Sequence, residues 1–141
     1  MYIKRLVLLV TLLFCGLLHG QENIRTVEKF IDAFNRHDVN AMLAMTTPDI
    51  HWMSISAQQL SIETSTQAQL RDAMTSYFES VPSARSRLRS IDSSGAFVYT
   101  LEEATWLSRD EQKSQCSIAV YEFNEQKIRH VWYFPAHSCG K

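Results

Sequence analysis

Between Glu22 and Arg36 the apolar residues Ile24, Val27, Phe30, Ile31 and Phe34 recur every three or four positions, which gathers them on one face of a helix. Glu28, Lys29, Asp32 and Arg36 take the opposite face, so one side is buried and the other wet. Asp38 is placed to cap a short second helix, whose apolar side is Ala41, Met42, Leu43 and Met45. Thr47 and Pro48 end that helix, because proline has no backbone N–H and disfavours helical geometry in the residue before it. The chain then leaves extended over residues 49–55. Residues 57–66 follow neither period and read as a loop, with Ser65 or Thr66 as the cap of a third helix. That helix is carried by Leu70, Met74, Tyr77, Phe78 and Val81 and closed by Pro82.

Beyond Pro82 the period changes to two. Arg85, Arg87 and Arg89 alternate with Ser86, Leu88 and Ser90, and after Asp92-Ser93-Ser94-Gly95 the run 96–107 sets Phe97, Tyr99 and Leu101 against Val98, Thr100 and Glu102. This predicts a hairpin that pairs Asp92 with Gly95, Leu88 with Tyr99 and Arg85 with Glu102, the arginines forming a solvated outer row with cross-strand charge partners. Residues 109–114 read as a charged loop, and a second hairpin joins 115–123 to 127–134 across Asn124-Glu125-Gln126. The expected class is α+β: a cone-shaped, curved antiparallel sheet with three helices from the N-terminal half packed on its concave face, and a cavity between sheet and first helix.

The N-terminus has a different character. Lys4 and Arg5 precede an apolar run over residues 6–18, too short for an ordinary membrane span of ~20 residues. It reads as a secretory signal peptide, residues 1–20, removed after Gly20 to leave a single domain over 21–141 in the periplasm or outside the cell. Lipid anchoring at Cys15 and an uncleaved anchor are the rival readings. The 14 basic and 15 acidic residues nearly balance, so charge gives no case for nucleic acid, or for a membrane partner after cleavage. Cys116 and Cys139 remain as an even pair, which in an oxidising compartment suggests a disulfide pinning the C-terminal tail to the sheet, against two free thiols. His130, His137 and Cys139 match no metal-ligand spacing, there is no phosphate-binding glycine loop, and neither a metal nor a cofactor is expected.

The segments VEKFIDAFNRHD (27–38), PDIHW (48–52), the aromatic strand 97–106 and YEFNEQKIRHVWYF (121–134) together resemble the nuclear-transport-factor-2-like superfamily, and within it the SnoaL-like branch. The resemblance implies a cone fold, commonly dimeric, used by isomerases, cyclases, dehydratases, epoxide hydrolases and non-enzymatic binding domains. Ketosteroid isomerases of that superfamily use a tyrosine, an aspartate base and a protonated aspartic acid around one cavity. Their positions correspond here to Phe30, Ser54 and Ala119, none of which supplies that chemistry. The aspartate of SnoaL-type polyketide cyclases corresponds to a position at or near Tyr133.

If Ser54 points inward, period two sends Ile50 and Trp52 inward and His51 outward. Glu103, sharing a face with Tyr99 and Leu101, is then the candidate acid or base in the cavity, with His51 second. The rival is a bend that leaves Glu102 and Glu103 both solvated. The expected lining is Phe30, Trp52, Ser54, Tyr99, Glu103, Ala119, Tyr121 and Tyr133. Three functions follow: a domain holding a small apolar or aromatic molecule, an isomerase-, cyclase- or dehydratase-type enzyme using Glu103 with a tyrosine or His51, and a dimerisation module in which Trp106 and Trp132 meet a second copy.

Overall fold

The computed structural model describes residues 2–140, with side chains from His19 onward. Helix α1 (Tyr2–Asn35) is continuous with the N-terminal run; of the expected leader, the side chains up to residue 18, Cys15 included, lie outside the described ones. No described helix is long and apolar enough to cross a membrane. Helix α2 (Val39–Ala44) starts where Asp38 Oδ1 accepts a hydrogen bond from the Ala41 N–H at 2.9 Å, and α3 (Gln67–Ser80) where the Thr66 hydroxyl accepts from Gln69 N–H at 3.2 Å.

Six strands form one curved sheet: β1 (Thr46–Ser56), β2 (Gln59–Thr64), β3 (Arg85–Ser94), β4 (Phe97–Ser108), β5 (Glu111–Asn124) and β6 (Lys127–Tyr133). Their spatial order is β2-β1-β6-β5-β4-β3. Every neighbouring pair is antiparallel except β1 and β6, so the sheet is mixed rather than wholly antiparallel. Val27, Phe30, Met42, Ile50, Leu70, Val98, Tyr121, Ile128 and Val131 are fully buried between the helices and the concave face. Asn35 fixes the end of α1 to β3 through two hydrogen bonds: its Nδ2 donates to the Ser86 carbonyl (2.8 Å) and its Oδ1 accepts from the Ser86 N–H (2.7 Å).

Two segments expected as loops are paired strand. Residues 59–64 form β2, turning back on β1 through Ala57 and Gln58, both at positive φ (47° and 64°). Residues 111–114 extend β5 beside β4 from a similar turn at Arg109 and Asp110. Neither turn carries glycine or asparagine, the usual signature of that geometry, and Leu60 and Ile62 of β2 are more than half exposed.

The β3–β4 register also differs from expectation. Gly95, at φ 60°, opens a two-residue turn that pairs Ser94 with Phe97 and Asp92 with Tyr99, and β3 holds one extra residue between Leu88 and Ser90. Arg85 therefore faces Thr105, Arg87 faces Glu103, and Leu88 faces Glu102. Val98, Thr100 and Glu102 are buried on the helix side, while Tyr99 and Glu103 belong to the outer face and are not cavity residues. Alternation puts Trp106 on the helix side with Glu102 and Ala104, and Trp132, opposite Val120 and Met53, on the outer face.

Candidate functional site

A cavity of about 220 Å³ lies between α1, α3 and the concave side of the sheet. Helix α1 contributes Phe30, Ile31 and Phe34 to it, α3 contributes Met74 and Tyr77, and the strands contribute Trp52, Ser86, Glu102, Ala104, Gln115, Ser117 and Tyr133. The 3–4 spacing of α1 that builds the core also presents its last aromatics to this space. Trp52 stacks on Tyr133 (ring centroids 5.2 Å apart, planes 20° apart) and lies against Phe30 at 6.1 Å, forming a flat aromatic wall.

The polar centre of the cavity is Glu102, only 4% exposed. Its Oε1 accepts hydrogen bonds from Thr100 Oγ1 (2.8 Å) and the Tyr121 hydroxyl (2.6 Å), and its Oε2 accepts from the Tyr133 hydroxyl (2.7 Å). The Ser86 side chain lies near the carboxyl, and the two tyrosine oxygens are 3.2 Å apart. Burial pushes the carboxyl above its ordinary range, and the hydrogen bonds from Tyr121, Tyr133 and Thr100 oppose that shift without cancelling it. Burial, and then the charge of Glu102, hold both phenols well above theirs. A buried carboxyl of raised pKa in an aromatic cavity is the kind of group that can accept, hold or release a proton.

Of the residues expected at the site, Phe30, Trp52 and Tyr133 line the cavity; Tyr121 and Ala119 are fully buried behind it, Tyr121 reaching it through Glu102. Ser54 is not among the lining residues and donates to Glu63 Oε1 on β2 at 2.6 Å. Tyr99 is 44% exposed on the outer face. Glu103 is tied there to Arg87 (2.5 Å) and Arg89 (3.3 Å), and the hydrogen bond from Arg87 leads in holding its carboxyl below the usual range. The acid expected at Glu103 is therefore one residue away, at Glu102, because the turn and the extra residue of β3 set the opposite face of β4 toward the helices. The adjacent pair Glu102-Glu103 announced a carboxylate on each face; only register could say which faced in.

His51 lies on the outer side, its Nδ1 beside the Asp49 carbonyl (2.9 Å) and its ring 5.3 Å from that of His130, which contacts Glu122 at 2.5 Å. Cys116 and Cys139 are joined as a disulfide, Cα atoms 5.0 Å apart, and the tail pairs with β5 through two Cys116–His137 backbone hydrogen bonds. Among the described residues no three His, Cys, Asp or Glu side chains are grouped to hold a metal ion.

The sequence profile of the SnoaL-like domain matches residues 27–131. Solved structures of the same fold include an uncharacterised cystatin-fold protein from Novosphingobium aromaticivorans (TM-score 0.71, 19% identity, covering 80% of this chain and 97% of that one). An LEH-like epoxide hydrolase of M. tuberculosis is also similar (TM-score 0.67, 15% identity, 82% and 83% covered). So is a putative SnoaL-like polyketide cyclase from Jannaschia sp. CCS1 (TM-score 0.68, 14% identity, 82% and 85% covered). At these identities the likeness concerns the fold alone. No curated protein matches the chain. With a cone of three helices on a curved six-stranded sheet, and a profile match spanning most of its length, the chain belongs to the SnoaL-like domain family of the nuclear-transport-factor-2-like superfamily.

Proposed function

We propose that this protein is an exported domain that holds one small, flat, apolar or aromatic molecule in the cavity between Phe30, Trp52 and Tyr133. The observation that carries the reading is Glu102: a carboxyl 4% exposed, surrounded by hydroxyl donors, at the polar end of an otherwise aromatic and aliphatic space. Such a group is expensive to bury, and a packed core has no use for a carboxyl at a cavity wall. The test is native mass spectrometry of the protein purified from the compartment that contains it. A defined extra mass on the wild type, absent from Trp52→Ala, supports the reading; an empty cavity that also takes up no flat aromatic compound sinks it.

The same carboxyl favours a second reading, acid–base catalysis of isomerase, cyclase or dehydratase type, with Glu102 in the role the sequence suggested for Glu103. The two separate on Glu102→Gln: turnover with retained binding in the wild type and lost turnover in the variant would favour the enzyme.

Two features support export and pairing. The disulfide suits an oxidising compartment, in keeping with the leader-like N-terminus. The outer sheet face carries Leu60, Ile62, Phe97, Tyr99, Leu107 and Ile118, all 42% exposed or more, which fits a face covered by a second copy of the chain.

A further inference from the structure

Glu102 is the one residue of the cavity lining that can carry a full charge near neutral pH, and that charge is negative. Among the described residues the lining holds no lysine, arginine or histidine. Helices α1 and α3 bring Phe30, Ile31, Phe34, Met74 and Tyr77 toward the carboxyl, and β5 and β6 bring phenols. On β3, Arg87 and Arg89 are paired with Glu103 on the outer face, and Arg85 contacts His37. No cation of the described residues acts on Glu102. Hydrogen-bonding capacity, by contrast, is not one-sided. The hydroxyls of Tyr77, Ser86 and Ser117 and the Gln115 amide donate and accept alike, and the Trp52 N–H donates.

A buried carboxylate is ordinarily matched by a positive charge, because neutral donors recover only part of what burial costs. Here the donors are hydroxyls and the matching charge is missing. The two oxygens also differ. Oε1 accepts from both Thr100 and Tyr121, which is buried behind the cavity, whereas Oε2 accepts from Tyr133, which lines it. Each carboxylate oxygen has about two lone-pair directions, so Oε2 is the less occupied one and adjoins the aromatic wall that Tyr133 shares with Trp52.

On the reading that the cavity binds a flat molecule, we propose that this molecule is an organic cation, a small arylalkyl amine, with its ammonium on Oε2 of Glu102 and its ring against Phe30 and Trp52. The oxygens of Tyr133 and Ser86 are at hand to accept its remaining N–H groups. Where the empty cavity holds the carboxyl protonated, that proton leaves to solvent as the ammonium arrives, and the same ion pair results. An alcohol on the same ring gains only a neutral donor's hydrogen bond, and a carboxylate sets a like charge beside Glu102.

The test is calorimetric titration of the wild-type protein near neutral pH with three probes on one ring: benzylamine, benzyl alcohol and benzoate. The amine is expected to bind at least about tenfold more tightly than the alcohol, the margin of a charge-assisted over a neutral hydrogen bond in a desolvated site, and benzoate at least about tenfold more weakly than the alcohol. In Glu102→Gln the amine should fall to within about threefold of the alcohol, whose own Kd should stay within about threefold of its wild-type value. The wild-type order needs no variant to be decisive: equal Kd values for amine and alcohol, or a preference for benzoate, overturn the cation site and leave the binding cavity standing. Failure of all three to bind overturns both.

Discussion

The hydroxyl of Tyr133 lies 2.7 Å from Oε2 of Glu102, although the two residues belong to β6 and β4, which are not neighbours in the sheet. The strand between them supplies Tyr121, whose hydroxyl reaches both. Curvature of the sheet makes this possible: on a concave face, side chains from alternate strands converge over the one between. The site is thus a product of the cone, and three adjacent strands build it: β4 with Thr100 and Glu102, β5 with Tyr121 and β6 with Tyr133.

Removing the carboxyl should therefore unsettle three strands at once. Glu102→Ala leaves the Tyr121, Tyr133 and Thr100 hydroxyls without their acceptor, and unpaired buried polar groups cost roughly 1–3 kcal/mol each before water or rearrangement relieves them. A net loss of about 3 kcal/mol is expected in urea unfolding. Glu102→Gln, which keeps the shape and one acceptor oxygen, should lose less than half of that. Equal losses for the two variants would mean that the carboxyl is not the hub of the network.

The two adjacent glutamates should respond to pH with opposite signs. The folded-state pKa of Glu102 is raised above the ordinary value of 4.5, so between the unfolded and folded pKa values the native state holds more protons than the unfolded one, and stability falls as pH rises through that window. Glu103 is lowered by Arg87 and Arg89; its contribution is present above the unfolded pKa and is lost as pH falls through the folded one. The unfolding free energy of wild type minus that of Glu102→Gln should decline from pH 4.5 upward, and the difference against Glu103→Gln should decline toward acid. A flat Glu102 difference between pH 4 and 8 would show that the buried carboxyl titrates normally.

What the sequence disclosed about this site and what it concealed have one cause, the range over which each feature is determined. The face of α1, the Asp38 and Thr66 caps, and the turn joining β5 to β6 are settled within a few residues, and they are legible. The face of β4 depends on one extra residue in β3 and on a turn placed at Gly95-Ala96, and no local period reveals either. Hydrophobicity even points the wrong way there, since Phe97, Tyr99 and Leu101 are more apolar than Thr100, Glu102 and Ala104. The outer face is apolar enough to pass for a core, which hid Glu102. Strand β2 escaped because its turn, Ala57-Gln58, holds positive φ without the residues that favour it.

The disulfide closes a loop with a sequence separation of 23 residues, and constraining a loop of that size in the unfolded chain is worth about 3 kcal/mol. The paired double variant Cys116→Ser, Cys139→Ser should lose that much stability, and its amide exchange should quicken first at Phe134 and His137, whose N–H groups donate to Ile118 and Cys116 of β5. Since Tyr133 immediately precedes this segment, the variant's affinity for a flat aromatic compound should fall as well. Unchanged exchange at His137 would show that backbone pairing holds the tail without the covalent link.

The outer sheet face makes the last prediction, on the proposal that a second copy covers it. Ile118 lies on β5 opposite Leu101, near the middle of that face, and is 47% exposed. A charge there is harmless to a monomer, because the side chain already meets water, but it is desolvated and unpaired at the centre of a sheet-to-sheet contact. By light scattering after size exclusion, the wild type should be a dimer, and Ile118→Glu should be a monomer at the same concentration with its unfolding midpoint displaced downward in proportion to the lost association. Because Glu102 and the aromatic wall lie on the other side of the sheet, the isolated monomer should retain binding of a flat aromatic compound within about threefold, a shift below about 1 kcal/mol. A wild-type monomer, or a dimer indifferent to Ile118→Glu, would move the contact elsewhere.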